Sequence, residues 1–416
     1  MGRASVGTTK LAISLVERAD VSGMAWEVTT DKPCLLYLIT EDWYFWSHRL
    51  DLARAARTSG FDVAIATRVT DHGELIRQEG FRLFPISMDR RSRNPFRECT
   101  AALELIRLYR RERPQIVHHV ALKPILYGSL AARIVRVPVV INAFAGLGYA
   151  FTDRDRSRSR WQPCMRWALT FAVRGNDSTV LCQNADDRDR LCVEGIVRAD
   201  HTRIVAGSGV DTERFRPVGH PQGVPIVLLP GRMLWDKGIQ EFVDAARSLR
   251  SEGLSARFIL VGRCDEDNPA AITSSQIESW VREGIVEWWG HREDMSEVYA
   301  QASFVVLPSY REGLPKVLLE AGACGKALIA TNVPGCREVV RHRVNGLLVR
   351  PRHAAELAEA IKTMLVDAPE RERMGKAARE LIVREFAVSH ITDQMVSLYR
   401  DLLKSRGCDS SFQGQR

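Results

Sequence analysis

The sequence predicts an α/β protein made of two doubly wound parallel-sheet domains that face each other across a cleft. Three observations predict it. The chain has 416 residues, more than one hydrophobic core usually organises. Short apolar, β-branched runs alternate with helical periodicity along most of its length, the pattern of parallel strands covered on both faces by helices. A stretch rich in Pro and Gly, "RFRPVGHPQGVP", interrupts that alternation near Pro217, as a linker does.

Residues 1–31 show no convincing alternation and read as an N-terminal extension. The first domain, residues 32–217, opens at "CLLYLIT" and continues through "FDVAIATRV", "QIVHHVAL", "VPVVINAFA", "STVLCQN" and "TRIVAGS". The second, residues 218–385, repeats the pattern with "PIVLLPG", "ARFILVG", "IVEWWG", "SFVVLPS", "ALIATNV" and "NGLLVRP". Helical periodicity in "AAELAEAIKTMLV", "ERERMGKAARELIVREF" and "HITDQMVSLYRDLL" follows. Residues 386–416 are expected to form a helix that packs back toward the first domain, and a frayed tail.

No run of about 18 uncharged apolar residues occurs and the N-terminus lacks the apolar core of a secretory signal, so a cytoplasmic protein is expected. Nine cysteines are scattered without a CxxC or a Cys/His cluster, which predicts reduced thiols and no metal site. The net charge of +8 is unevenly distributed: residues 1–217 carry 33 Lys+Arg against 25 Asp+Glu, the remainder 26 against 26. An anionic partner is therefore expected for the first half only. No nucleic-acid reader motif accompanies the charge, which leaves an anionic membrane or a phosphorylated acceptor.

In open parallel sheets ligands bind beyond the carboxyl ends of the strands. After "PIVLLP" come Gly231, Arg232 and Lys237, with a helix starting near Gly238. Two cations and a helix N-terminus suit a diphosphate; a solvated loop is the alternative. After "SFVVLPS" come Glu312, Gly313 and Leu314, then Pro315 in the expected first turn of a helix that carries Lys316 and Glu320 on one face. The amides of Leu314, Lys316 and Val317 suit phosphate oxygens, and a carboxylate suits paired sugar hydroxyls. This pattern fits a nucleotide sugar, with Glu320 on the ribose and Glu312 on the transferred sugar. The competing reading is an exposed Lys316–Glu320 ion pair in the weaker orientation.

"GRMLWDKG", followed by "EGLPKVLLE" with Glu312 and Glu320 spaced as E-x7-E, resembles the family 4 retaining glycosyltransferases of the GT-B fold. "GSGVDTERFRP", "GHRED" and "EAGACGKALIATNVPGCREVVRHRVNGLLV" extend the resemblance from about Pro33 to Leu403. It implies that Arg232 and Lys237 hold the donor diphosphate, with Glu312, Arg232 and Lys237 as the catalytic set. It also implies that Glu312 contacts the sugar, Glu320 the ribose and Arg292 the nucleobase region. The implied reaction is a same-face substitution without metal or cofactor. "DRD" at Asp153–Asp155 and "DED" at Asp265–Asp267 are read as polar loops.

"SHRL" and "LKP...YGSLAAR" resemble the capsule and O-antigen branch of that family, including transferases that add N-acetylhexosamine to undecaprenyl-diphosphate-linked sugars. His48, Arg49 and Lys123 are the expected acceptor-phosphate contacts. The chain departs from the family where glycines usually follow the first strand, where H-x-H is replaced by His118-His119-Val120, and where His-Gly is replaced by Ala145-Gly146. His118 and His119 point to opposite faces of a strand, so either one of them meets the acceptor or both pack. "DRDRSRSRWQPCMRWALTFAVRG" reads as a surface for anionic lipid, with Arg156, Arg158 and Arg160 in contact, or as a loop leading into a core helix. The resemblance implies a UDP-sugar donor, a polyprenyl-diphosphate-linked saccharide acceptor, and a peripheral position at the cytoplasmic face of the inner membrane. A nucleotide-sugar epimerase and a noncatalytic nucleotide-sugar or membrane-binding protein are the alternatives.

Overall fold

A computed structural model describes residues 32–90, 92, 94–144, 146, 162–174, 177–219, 223–265 and 268–408. The expected extension at 1–31, the acidic run 153–155, the three arginines at 156, 158 and 160, and the tail beyond 408 lie outside the described residues.

Every apolar run quoted above becomes a strand, and all strand pairs in both sheets are parallel. In the first sheet these are β1 (Cys34–Glu41), β2 (Asp62–Arg68), β3 (Arg82–Pro85), β4 (Ile116–Val120), β5 (Val139–Ala143), β6 (Thr179–Cys182) and β7 (Thr202–Ile204). Their order is β3-β2-β1-β4-β5-β6-β7. The second sheet holds β8 (Ile226–Pro230), β9 (Arg257–Val261), β10 (Glu287–Trp288), β11 (Phe304–Leu307), β12 (Ala327–Thr331) and β13 (Gly346–Val349), in the order β10-β9-β8-β11-β12-β13. Strand β3 was not anticipated. It is a four-residue edge strand, "RLFP", whose charge and proline are tolerated there because one side of an edge strand needs no partner.

Burial on both faces explains why the strands read as continuous apolar runs rather than as alternating ones. Along β1, Leu35, Tyr37 and Ile39 join one core while Cys34, Leu36 and Leu38 join the core on the opposite face. Along β11, Val305 and Leu307 face one core, Phe304 and Val306 the other.

The chain crosses between the sheets twice, and the crossings pair: Val210 N–H donates to Phe386 O, and Val388 N–H donates to Val210 O, both at 2.9 Å. The helix Val388–Ser405 then packs on the first sheet, where Met395, Val396, Tyr399 and Leu403 join its core. The Tyr399 hydroxyl lies 2.9 Å from the Tyr37 hydroxyl and 2.7 Å from His118 Nδ1. Tyr399→Phe strips two buried polar groups of a partner and is expected to cost about 1–3 kcal/mol. Urea denaturation measures it; an unchanged midpoint contradicts the role.

Candidate active site

The carboxyl ends of β8 and β11, neighbours in the second sheet, carry the central pair. Beyond β8 a short 3-10 turn, Trp235–Lys237, ends at Gly238 with φ +71°. A Cβ there would lie 2.1 Å from Pro308 O, so only glycine lets the turn abut the end of β11. This brings Lys237 Nζ within 2.5 Å of Glu312 Oε1, with both side chains largely enclosed. Arg232, beside Gly231, donates through Nη1 to Asp265 Oδ2 at 3.0 Å. Asp265 lies in a loop, as expected, but it is partly buried and paired with Arg232 rather than exposed. Glu266 and Asp267 lie outside the described residues.

The helix Lys316–Ala323 starts one residue later than expected, with Pro315 at the position before its first turn. Glu320 is 9% exposed. Tyr299 donates its hydroxyl to Glu320 Oε2 at 3.0 Å, and Lys316 Nζ lies 3.7 Å from Oε1. The exposed ion pair weighed above is thus excluded. Burial pushes the Glu320 carboxyl above its ordinary range, against the lowering influence of Lys316 and Tyr299. Lys316 Nζ also donates to Ser47 O, in the first half, at 2.7 Å. Arg292 grips Asp294 of its own loop through Nε, at 2.8 Å, and Nη2. That pairing holds Asp294 down to about 2.

Of the five expected acceptor residues, His48 lies near Lys316 of the second half. Its ring stacks on Tyr44 with centroids 4.3 Å apart, and Nδ1 lies 2.6 Å from Ser47 Oγ. Burial, with Lys316 and Arg49 nearby, holds its pKa down to about 3, so the ring is neutral at physiological pH.

His118, His119 and Lys123 are corrections. His118 and His119 are fully buried. His118 bonds Tyr399, and His119 lies 2.8 Å from Asn142 Oδ1 and 3.0 Å from the Tyr109 hydroxyl. Because β4 is covered on both faces, alternation sends each ring into a core and neither into the cleft. Lys123 spends its three ammonium donors on Asp89 O (2.8 Å), Ser92 O (2.7 Å) and Glu98 Oε1 (2.7 Å). It ties down a loop rather than presenting to a phosphate. Arg49 is 5% exposed, its Nη1 3.5 Å from Gly207 O. Its crevice, shared with Phe144, Gln183 and Met395, has room for about one water molecule.

Sequence reasoning missed Asp265, Tyr299 and Asn184. Asn184 stands two residues after "TVLC", following Gln183, and directly before "ADD", both near a strand end and at a helix N-cap signal. Its side-chain amide crosses the cleft to donate to Gly313 O at 2.8 Å. Arg232, Lys237, Glu312 and the Glu320–Lys316 pair thus combine cations that can neutralise a dianion with carboxylates that can accept hydroxyl hydrogen bonds, all at the strand ends of one sheet.

Two family models match the chain: "Glycosyl transferase 4-like" over residues 34–184 and "Glycosyl transferases group 1" over residues 210–381. The N,N'-diacetylbacillosaminyl-diphospho-undecaprenol alpha-1,3-N-acetylgalactosaminyltransferase of Campylobacter jejuni is 26% identical over 372 residues, covering 86% of this chain and 96% of the relative. The UDP-Gal:alpha-D-GlcNAc-diphosphoundecaprenol alpha-1,3-galactosyltransferase of Escherichia coli is 23% identical over 323 residues, covering 74% and 81%. Among solved structures, sucrose-phosphate synthase from Thermosynechococcus elongatus superposes with a TM-score of 0.77 at 22% identity, covering 90% of this chain and 100% of that one. At that identity the likeness speaks for the fold.

Proposed function

The chain belongs to the glycosyltransferases that those two family models describe, with the GT-B fold; from that premise we propose that it moves a sugar, an N-acetylhexosamine, from a UDP-sugar to a polyprenyl-diphosphate-linked saccharide during surface polysaccharide assembly. The observation that carries the reading is the junction of the Lys237–Glu312 pair with Arg232 at the strand ends of the second sheet. The two relatives named above act on undecaprenol-diphosphate-linked sugars, which supports the acceptor class.

In the proposed mechanism Arg232 leaves Asp265 for the donor diphosphate, while Lys237 is shared between that diphosphate and Glu312. The amides of Leu314 and Lys316 face the phosphate oxygens. Glu320 accepts from the ribose hydroxyls, Glu312 holds the transferred sugar, and Arg292 borders the base. The bond from the anomeric carbon to the diphosphate breaks through an oxocarbenium-like transition state. An acceptor hydroxyl, positioned beside His48, attacks the same face with retention of configuration and gives its proton to the departing diphosphate. The cations stabilise charge as it develops on that leaving group, where a preorganised site is most effective. Mass spectrometry of a lipid-linked acceptor incubated with UDP-GlcNAc, UDP-GalNAc, UDP-Gal, UDP-Glc and GDP-mannose in turn tests this reading. A mass gain with one UDP-N-acetylhexosamine supports it; a gain only with GDP-mannose rejects the donor class.

The proposal includes peripheral contact with an anionic membrane. No helix among the described residues is long and apolar enough to cross one. The helix Gln162–Arg174, however, exposes Met165, Trp167 and Phe171, with Trp167 68% exposed. The Arg133 guanidinium sits 4.7 Å from the centre of the Phe171 ring. An aromatic face with basic neighbours suits the headgroup region. The protein is expected to sediment with anionic vesicles and to be released as salt rises, since exposed attraction is screened within about 8 Å at physiological ionic strength. Trp167→Ser with Phe171→Ser should weaken vesicle binding and leave UDP affinity unchanged. Unaltered vesicle binding removes this helix from the contact.

A further inference from the structure

We propose that Asn184, in the first half of the chain, is a positioning residue for the sugar-contacting loop of the second half, an inference that rests on the donor-site reading above. Asn184 follows β6 and caps the helix Ala185–Val193. Its Oδ1 accepts from Asp187 N–H at 2.7 Å, and its Nδ2 donates to Gly313 O at 2.8 Å. The side chain is completely buried. A carbonyl on one side and an N–H on the other leave the amide only one orientation that satisfies both.

Gly313 immediately follows Glu312, and the peptide between them is held from both halves. A Cβ on Gly313 would lie 2.7 Å from Gln183 Oε1 and 3.0 Å from Gly146 Cα. On the opposite side, a Cβ on Gly335 would lie 2.3 Å from Gly313 O and 2.7 Å from Glu312 O. In so tight a seat, the amide of Asn184 serves a carbonyl that water would otherwise have to reach. Two ion pairs flank it, Arg337 to Asp186 at 3.0 Å and Arg311 to Asp187 at 3.8 Å. Arg337 and Asp186 are substantially exposed, and screening makes such a pair weak. The Arg311–Asp187 pair is more enclosed but long, so the dry Asn184 contact is the one direct hydrogen bond of the three that reaches the Glu312–Gly313 backbone. The acceptor half fixes the backbone from which Glu312 reaches Lys237, so the sugar site is complete only when the halves meet.

Capping and positioning use different atoms of the same side chain, so substitution separates them. Asn184→Asp and Asn184→Ser keep an oxygen that caps well; an ionised Asp has no donor for Gly313 O, and the shorter Ser side chain has lost the Nδ2 that reaches it. Both full-length variants should lose some thermal stability, Asn184→Asp the more because it buries a carboxylate beside Asp187; both should stay folded at assay temperature and bind UDP within about twofold of wild type, because the proposed ribose and diphosphate contacts lie in the second half. Both should lose about tenfold or more in kcat with the intact UDP-sugar, since small misplacements of a reacting group are costly. Amide hydrogen exchange across residues 310–314 should accelerate in both. Wild-type kcat together with unchanged loop exchange overturns the proposal. If wild type transfers sugar from no donor, the functional reading fails, and the exchange measurement still decides whether Asn184 holds the loop.

Discussion

Alanine at Lys237 or at Arg232 lowers kcat/KM by about 100-fold, comparable to removing one preorganised charge-stabilising donor. The two losses have different consequences. Lys237 Nζ is bonded to Glu312 Oε1 at 2.5 Å, so Lys237→Ala also leaves a largely enclosed carboxylate without its counter-ion. Lys237→Ala and Glu312→Gln are therefore expected to be strongly non-additive, as groups acting as a unit are. Arg232 is paired instead with Asp265, and Arg232→Ala should combine additively with Glu312→Gln. Steady-state kinetics on the four proteins of each cycle measures this. Near-normal turnover of either alanine variant rejects the role assigned to that cation.

Gln at position 320 weakens UDP and UDP-sugar alike, whereas Gln at 312 spares UDP and weakens only the intact donor, because the ribose is common to both ligands and the sugar is not. Losing a charge-assisted hydrogen bond is worth about 1.5–3 kcal/mol, so the expected loss in UDP affinity for Glu320→Gln is about tenfold or more. Isothermal titration separates the two variants, and equal losses of UDP affinity overturn the division of labour. A pH dependence follows from the burial of Glu320, which raises its pKa. Ribose hydroxyls need the ionised carboxylate, so UDP affinity should rise with pH through a window above the usual carboxylate range, and Glu320→Gln should flatten that rise. The linkage has the opposite sign for folding. The folded carboxyl holds its proton more tightly than the unfolded one, so its contribution to stability is fully present at pH below the unfolded pKa and is lost as pH rises through the folded pKa.

The clustering of Arg232, Lys237, Glu312 and Glu320 was legible because they lie in the segments that follow β8 and β11, and the E-x7-E spacing falls within a single loop and helix. Both sheets were legible for a similar reason: burial on two faces writes a continuous apolar run, and only the short edge strand β3 escaped. The placement of the residues expected to meet an acceptor was not legible, because it is decided by partners far away in sequence. His118 is claimed by Tyr399, 281 positions later, and Lys316 reaches Ser47 across 269. Asn184 meets Gly313 across 129. No local pattern around "HHV", "LKP" or "QN" reports such a partner. Lys123 looked like a phosphate ligand because its acceptors, Asp89 and Ser92 on a loop and Glu98 on the helix after it, lie 25 to 34 positions away.

The central claim is transfer of a sugar between two substrates, and donor consumption with and without a lipid-linked acceptor tests it most directly. The site geometry predicts UDP release that depends on the acceptor, with the acceptor gaining the mass of one sugar. An altered free sugar released in the absence of acceptor, or tight UDP binding with no consumption under either condition, would contradict it.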